Sequence, residues 1–443
     1  MPAIIFVFLV ILLQRANTNL IQSVNPLFIK YVLNKNIFYV GITTAVYAVS
    51  TLLVRYLISI RIKPQAISKF VVAGLLLFSA AILGYFFSTN YAEFLVFVVI
   101  SGFATAIIMP FLLSLVHLVS DKAVIEKNLT IYSLMLSLAL VFGPLLSSAV
   151  LTVFSIRWIY IMLCLFGIAA FFFAAKIHMK SKGAIKEKLG DAGRSAKDIA
   201  QSIGRNDDKY SLEKPESDKN SLNKNILDRE NTAGMEQDNV RIKSGGSVSS
   251  LFKNRGFLEV IFYNTTFSIA FASVVALGGV FARDNFHIKY FEITLLFSLF
   301  FISSLITRLI LLYFTKKGII KNKTKILNIS ILISVLSFVL MVFSRNIGFY
   351  ALSLVIFGVP HALIFPIGTM RISETVDMKD MVAANTIYQS NFDIGGIIGP
   401  FFLSYLGGLY SIRFVFVIVA VFLFAAFVFG KYIELNSNRA HMP

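Results

Sequence analysis

The sequence predicts an all-α membrane protein whose twelve transmembrane helices form two pseudo-symmetric six-helix bundles. Three observations predict it. The composition is too apolar for water, twelve apolar runs have spanning length, and the last six runs repeat the first six.

Of 443 residues, 57% are hydrophobic and 14% are charged, against about 25% charged in an ordinary soluble chain. The mean hydropathy is +0.78. A water-soluble chain of this length cannot hide that much apolar surface. Twelve spans of about 20 residues use about 240 residues and leave the rest for loops, termini and one insertion.

The runs cover residues 3–29, 38–60, 66–88, 91–118, 129–153 and 157–177, then 256–282, 290–314, 324–343, 347–372, 382–410 and 411–430. Each is predicted helical, because a spanning segment must satisfy its own backbone hydrogen bonds. The alternating pattern of a membrane β-barrel is absent. The predicted organisation is an N-terminal bundle over 1–178, a cytoplasmic linker over 179–254 and a C-terminal bundle over 255–443. Residues 176–255 hold 17 basic and 12 acidic residues and few aromatics. A segment of that composition buries too little surface to offset chain entropy and is expected to be mostly disordered.

The net charge of +18 would suggest nucleic acid in a soluble domain. Here the basic residues sit in short connections between apolar runs and read as topology signals. The connections after even-numbered spans, with the C-terminal tail, hold 14 Lys and Arg, against 7 after odd-numbered spans. Both termini and the linker are therefore expected on the cytoplasmic side of a plasma membrane. The N-terminus reads as a retained first span. Cys164 is the only cysteine, so neither an intrachain disulfide nor a cysteine metal cluster is expected. No cofactor motif, Walker-type loop or His-Glu-x-x-His is present, so no metal, cofactor or enzymatic activity is expected.

An offset of 256 superimposes the fourth to sixth spans on the tenth to twelfth without a gap. Gly102 falls on Gly358, Pro110 on Pro366, Thr130-Ile131-Tyr132 on Thr386-Ile387-Tyr388, Gly143-Pro144 on Gly399-Pro400, and Ser155-Ile156-Arg157 on Ser411-Ile412-Arg413. An offset of 253 carries Ser50 and Arg55 to Ser303 and Arg308. Six spans related to six in parallel topology place a binding site between the bundles near the midplane, an architecture of secondary transporters.

With these features the chain resembles the major facilitator superfamily over essentially its whole length outside the linker. The fifth span resembles the motif of the drug-antiporter branch: Ala139, Gly143-Pro144, Ser147 and Ser148, echoed in the eleventh by Gly395, Gly399-Pro400 and Ser404. Small residues let helices approach closely and Pro permits a bend. Gly143, Pro144, Gly399 and Pro400 are thus expected at a hinge or sliding seam between bundles, with close packing alone as the alternative. The chain departs from the family pattern at residues 59–64, which lack its Asp and Gly, and at Val98, where the proton-linked Arg of drug antiporters stands.

Ionisable groups inside a span are functional candidates by default. Arg15 lies near the middle of the first span among Gln14, Asn17, Thr18, Asn19, Gln22 and Asn25. Positions 15, 18, 22 and 25 follow helical spacing. The resemblance implies that this stripe lines the central cavity; an interhelical hydrogen-bond seam is the alternative. Asn385, Gln389 and Asp393 share a face of the eleventh span. Asp393 could carry a coupling proton or pair with Arg15. His361 could titrate or pack. Asn264 and Ser268 in the seventh span, and the repeat mates Tyr132 and Tyr388, complete the candidate substrate site. Arg55 and Arg308 are expected as gating or interface residues.

The leading expectation is a secondary active transporter of a small organic solute working by alternating access. Efflux of amphipathic compounds by antiport leads. Uptake of a polar or anionic nutrient by symport, or a non-transporting receptor or lipid-handling protein of the same fold, are the alternatives. Expected partners are the solute, protons or another coupling ion and the lipid bilayer, with no nucleic acid and a monomeric state.

Overall fold

The computed structural model describes residues 3–59, 66–120, 125–179, 251–376 and 380–439. Nearly all of the linker expected over 179–254, and the loop of residues 60–65, lie outside them. Among the described residues the chain forms twelve helices: α1 (Ala3–Tyr31), α2 (Phe38–Ser59), α3 (Ile67–Phe87), α4 (Tyr91–Val119), α5 (Ile125–Val153), α6 (Trp158–Met179), α7 (Arg255–Phe286), α8 (Tyr290–Lys316), α9 (Lys323–Phe343), α10 (Ile347–Thr375), α11 (Met381–Leu409) and α12 (Ile412–Arg439). They follow the apolar runs closely. Eleven are long and apolar enough to cross a bilayer, and α11 contributes a shorter apolar stretch, Ile394–Leu409. Its N-terminal half carries the amides and the acid that lower its hydropathy.

Several helices begin at an asparagine. Asn90 and Asn346 accept from the backbone N–H three residues on, both at 3.0 Å, as do Asn254 at α7 and Asn322 at α9. These caps satisfy donors that the first helical turn leaves open. Asn90 and Asn346 are related by the offset of 256. Among the described residues the two non-glycines with positive φ, Asn34 and His287, both at 52°, are related by the offset of 253. Each follows the first helix of its half, where a left-handed residue ends a helix without continuing it.

Packing repeats as well. Phe28 stacks on Phe94 and meets Tyr160 edge-on, with ring centroids 5.4 and 5.1 Å apart. The matching residues Phe281, Tyr350 and Phe416 cluster at 5.2 and 5.0 Å. A Cβ at Gly102 would lie 2.8 Å from Ser50 Cβ and 2.9 Å from the Tyr47 carbonyl. A Cβ at Gly358 would lie 2.8 Å from Ser303 Cβ and 2.6 Å from the Phe300 carbonyl. Both glycines let the fourth helix of a half lie directly on the second.

Within the first half α4 packs on α2 and α3, and α5 on α1; within the second α10 packs on α8 and α9, and α11 on α7. Between the halves α2 runs along α11, α5 along α8, and α1 meets α7. The two long seams exchange under the internal two-fold. This arrangement of two six-helix bundles is the fold that the duplication predicted.

Candidate functional site

The polar stripe of α1 faces inward. Gln14 and Asn17 are fully buried, Thr18, Asn19 and Asn25 are buried, and Gln22 opens onto a cavity. That cavity, of about 140 Å³, lies between α1 and α2 of one half and α7 and α11 of the other. Gln22, Asn25, Tyr47 and Thr51 form its polar wall; Ser268, Phe271 and Val275 of α7 face them. The offset of 253 carries Arg15, Thr18 and Gln22 to Ser268, Phe271 and Val275. The repeat therefore opposes a polar wall on α1 with a mostly apolar wall on α7. Asn25 accepts from the Tyr160 hydroxyl at 2.9 Å, and Tyr47 donates to Thr105 at 3.0 Å. These contacts fix the wall's side chains in place.

Below Gln22, one α-helical heptad along α1, sits Arg15. It lies within electrostatic reach of Tyr132 on α5, Arg308 on α8 and His361 on α10. Arg308 donates through a terminal guanidinium nitrogen to Ser137 of α5 at 2.9 Å, across the seam between halves. The side-chain polar atoms of Gln14 and Asn17, and Nδ2 of Asn19, are buried without a hydrogen-bond partner. Leaving such groups unmade costs about 1–3 kcal/mol each.

Other sequence candidates are placed elsewhere. Tyr388 is buried, donates to the carbonyls of Ile364 and Phe365, and stacks on Phe365. It ties α11 to α10 and does not line the cavity. Asn264 donates to the Tyr388 carbonyl at 2.9 Å and is fully buried, tying α7 to α11. His361 pairs with Ser304 at 2.8 Å and stacks on Phe271 at 4.8 Å, among Phe267, Phe300 and Phe301. It stands behind the apolar wall and holds Phe271 rather than facing the cavity. The side chains of Asn385, Gln389 and Asp393 lie outside the described residues.

The glycines of the Gly-Pro pairs differ from the expected seam, while Pro400 lies on it. Gly143 faces Ala16 and Leu20 of α1, and Gly399 faces Ile269 of α7, so each glycine serves packing inside its own half. The inter-half approach lies beside them, where a Cβ at Gly41 of α2 would lie 2.7 Å from the Pro400 carbonyl. The seam uses the backbone next to Gly399 and a glycine on the partner helix.

Sequence reasoning missed a cluster at the end of the bundle opposite the chain termini. Lys30 of α1 pairs with Asp284 of α7, whose other carboxylate oxygen accepts from the Tyr31 hydroxyl at 2.6 Å. Arg283 lies over the rings of Tyr31 at 4.9 Å and Tyr290 at 4.0 Å. The offset of 253 carries Lys30 to Arg283 and Tyr31 to Asp284, so the two cations reach crosswise to each other's neighbours. The signal was a cation at the same place in each half. Thr43, Tyr47 and Thr51 were also missed, although their spacing of four puts them on one face of α2.

The model of the Major Facilitator Superfamily matches residues 7–327 and 262–439. A comparison with curated proteins finds no match. Among solved structures the chain is similar to a peptide transporter, POT, in complex with sulfate (13% identity, TM-score 0.73, covering 99% of this chain and 94% of that one). It is also similar to the nucleoside transporter NupG (12%, 0.71, 98% and 99%). A third is a bacterial homologue of the human lysosomal transporter Spinster, inward-facing and unoccupied (11%, 0.69, 97% and 95%). At these identities the likeness is one of fold, and it extends over both bundles. With the family match across the chain and the cavity shared by its two halves, this protein is a transporter rather than an enzyme and belongs to the Major Facilitator Superfamily.

Proposed function

We propose that the chain moves a small amphipathic organic solute by alternating access through the cavity between α1, α2, α7 and α11, as export by antiport. One observation carries the reading: both halves build the same cavity, one with a polar wall and the other with an apolar wall. A solute held there touches both bundles, so rocking of one against the other changes the side to which it is exposed. With the termini cytoplasmic, as the basic connections imply, the cluster of Lys30, Tyr31 and Asp284 lies at the external end. Antiport is supported by the fifth-span motif. Uptake by symport is the second reading, favoured by Arg15 and the buried amides Gln14, Asn17 and Asn19.

Purified protein in liposomes tests this. A fluorescent amphipathic solute should move against its own gradient when a proton gradient is imposed, and the sign of the coupling separates antiport from symport. No flux under proton, sodium or solute gradients would remove transport from the account.

A further inference from the structure

We propose that the solute is uncharged and is recognised by the hydrogen-bond donors it carries: a single-ring alcohol or carboxamide, held between the hydroxyl-bearing wall of α2, with Gln22 of α1, and the apolar wall of α7. The inference rests on the transport reading above and names its substrate class.

The charge of the cavity sets the first part. Among the described residues that line it, none is Lys, Arg, His, Asp or Glu. An ion moved there from water loses its hydration and meets no counter-charge, which is costly. A neutral polar group loses far less, and hydrogen bonds to the wall replace what it loses.

The protons of the wall's hydroxyls set the second part. Five hydroxyl side chains line the cavity among the described residues, and each donates its proton within the protein. Thr43, Thr44 and Thr51 of α2 donate to the carbonyls of Tyr39, Val40 and Tyr47 at 2.8, 3.0 and 2.9 Å. Tyr47 donates to Thr105 at 3.0 Å, and Ser268 of α7 to the Thr265 carbonyl at 2.9 Å. A hydroxyl has one proton and two lone pairs, so these groups keep acceptor capacity for a solute. Gln22, exposed in the cavity, adds one amide that both donates and accepts. An O–H or N–H of the solute therefore finds acceptors on α2, and a carboxamide or hydroxyl finds a match in Gln22. A carboxylate, which only accepts, meets lone pairs.

Size and the opposite wall set the rest. The cavity holds about 140 Å³, and an apolar cavity of about 150 Å³ takes one benzene ring. Phe271, Ala272, Val275 and Ala276 of α7 line the side facing the hydroxyls. The Phe271 ring is backed by His361 at 4.8 Å, so it presents a fixed aromatic surface. A ring against α7 with its donor group toward Gln22 and α2 uses both walls.

Binding and melting of the full chain in detergent test this with five single-ring probes: benzamide, benzyl alcohol, acetophenone, benzoate and benzylamine. Benzamide, acetophenone and benzoate have nearly one shape and differ in donors and charge. Ligand that binds the folded state raises its melting temperature. Benzamide or benzyl alcohol should do so with saturable binding at millimolar concentration, and the tighter of the two tells amide from hydroxyl chemistry. Acetophenone, which has no donor, should bind at least about fivefold more weakly. Benzoate and benzylamine should bind at least about tenfold more weakly. Thr44→Val removes acceptor lone pairs at nearly constant volume, so it should weaken the neutral donors and leave acetophenone unchanged. Gln22→Glu should raise benzylamine affinity about tenfold at mildly alkaline pH, a gain that misfolding cannot produce. Acetophenone, benzoate or benzylamine binding as tightly as the neutral donors overturns the proposal. So does no binding by either neutral donor, or probe preferences unchanged in both variants. Vesicle flux is read separately. Flux of a charged probe alone removes the uncharged class and leaves transport. Saturable binding of a neutral donor without flux under any gradient leaves the class and removes transport.

Discussion

Arg157 and Arg413 make the same contacts in the two halves of the molecule. Arg157 donates to the carbonyls of Phe86 and Ser88 at the end of α3, and Arg413 to those of Val342 and Ser344 at the end of α9. Each guanidinium also lies over a phenylalanine, Phe28 at 5.2 Å and Phe281 at 5.6 Å. All three pairs of partners are repeat mates. A helix ends with carbonyls that have no intrahelical donor and carry a partial negative charge. One arginine thus closes the third helix of each half and joins it to the sixth and the first.

Arg413→Ala should therefore destabilise the second half. Each charge-assisted bond is worth about 1.5–3 kcal/mol, and the variant also leaves carbonyls open at the end of α9. Arg157→Ala should act alike on the first half. Melting of both variants in detergent checks this, and a parental melting temperature in either would contradict it.

Gly102 and Gly358 should not tolerate alanine. The added Cβ would meet backbone carbonyls at 2.9 and 2.6 Å, so the helices must part. Overpacking of this kind costs about 1–3 kcal/mol. Gly396, on α11 beside the cavity, has nothing within 4 Å of an added Cβ. There alanine should be neutral or stabilising by up to about 1 kcal/mol, because it forms helix better than glycine. Comparing the melting temperatures of the three variants decides whether close approach or helix propensity governs these sites.

The Lys30–Asp284 pair should bias which end of the transporter is open. Both side chains are partly exposed, so the pair itself contributes about 0–1 kcal/mol. The Tyr31 hydroxyl bond to the same carboxylate adds about 1.5–3 kcal/mol. Asp284→Asn should move the equilibrium between open and closed ends severalfold. A cysteine at Thr44, which lines the cavity, in a Cys164→Ser background reports it. Labelling by an impermeant maleimide from the face opposite the termini should rise with Asp284→Asn. Equal labelling in both backgrounds would show that the cluster does not hold the end shut.

The helices, their order and the two-fold were legible because hydropathy and spacing are properties of single segments. Gly102 over Gly358 and Arg157 over Arg413 needed only a constant offset. The site was half legible. The α1 stripe stood out because amides in an apolar run have few uses. The apolar wall of Phe271 and Val275 did not, since a cavity-lining Phe and a core Phe look alike in sequence. Tyr388 and His361 misled for the opposite reason: a polar side chain in a span can be spent on a neighbouring helix carbonyl or hydroxyl. Lys30 and Asp284 were invisible as a pair, because their contact spans 254 positions and exists only when the halves meet.

The last prediction follows from a broken symmetry. Arg308 donates to Ser137 across the α5–α8 seam. The repeat carries Arg308 to Arg55 and Ser137 to Asp393, and the equivalent seam is that of α2 with α11. The serine of one seam thus corresponds in sequence to an acid in the other, which makes Arg55, as well as Arg15, a candidate partner for Asp393. If that coupling is structural, Asp393→Asn and Arg55→Gln should each lower stability by about 3–5 kcal/mol, and the double variant by much less than their sum. Arg15→Gln combined with Asp393→Asn should then be additive. If Asp393 instead carries the coupling proton, Asp393→Asn should abolish gradient-driven flux with folding and solute binding intact, and Arg55→Gln should not restore it. The cycle is read by melting temperature and by flux, so the two roles give different patterns. Parental values in both readouts for Asp393→Asn would remove it from the functional residues.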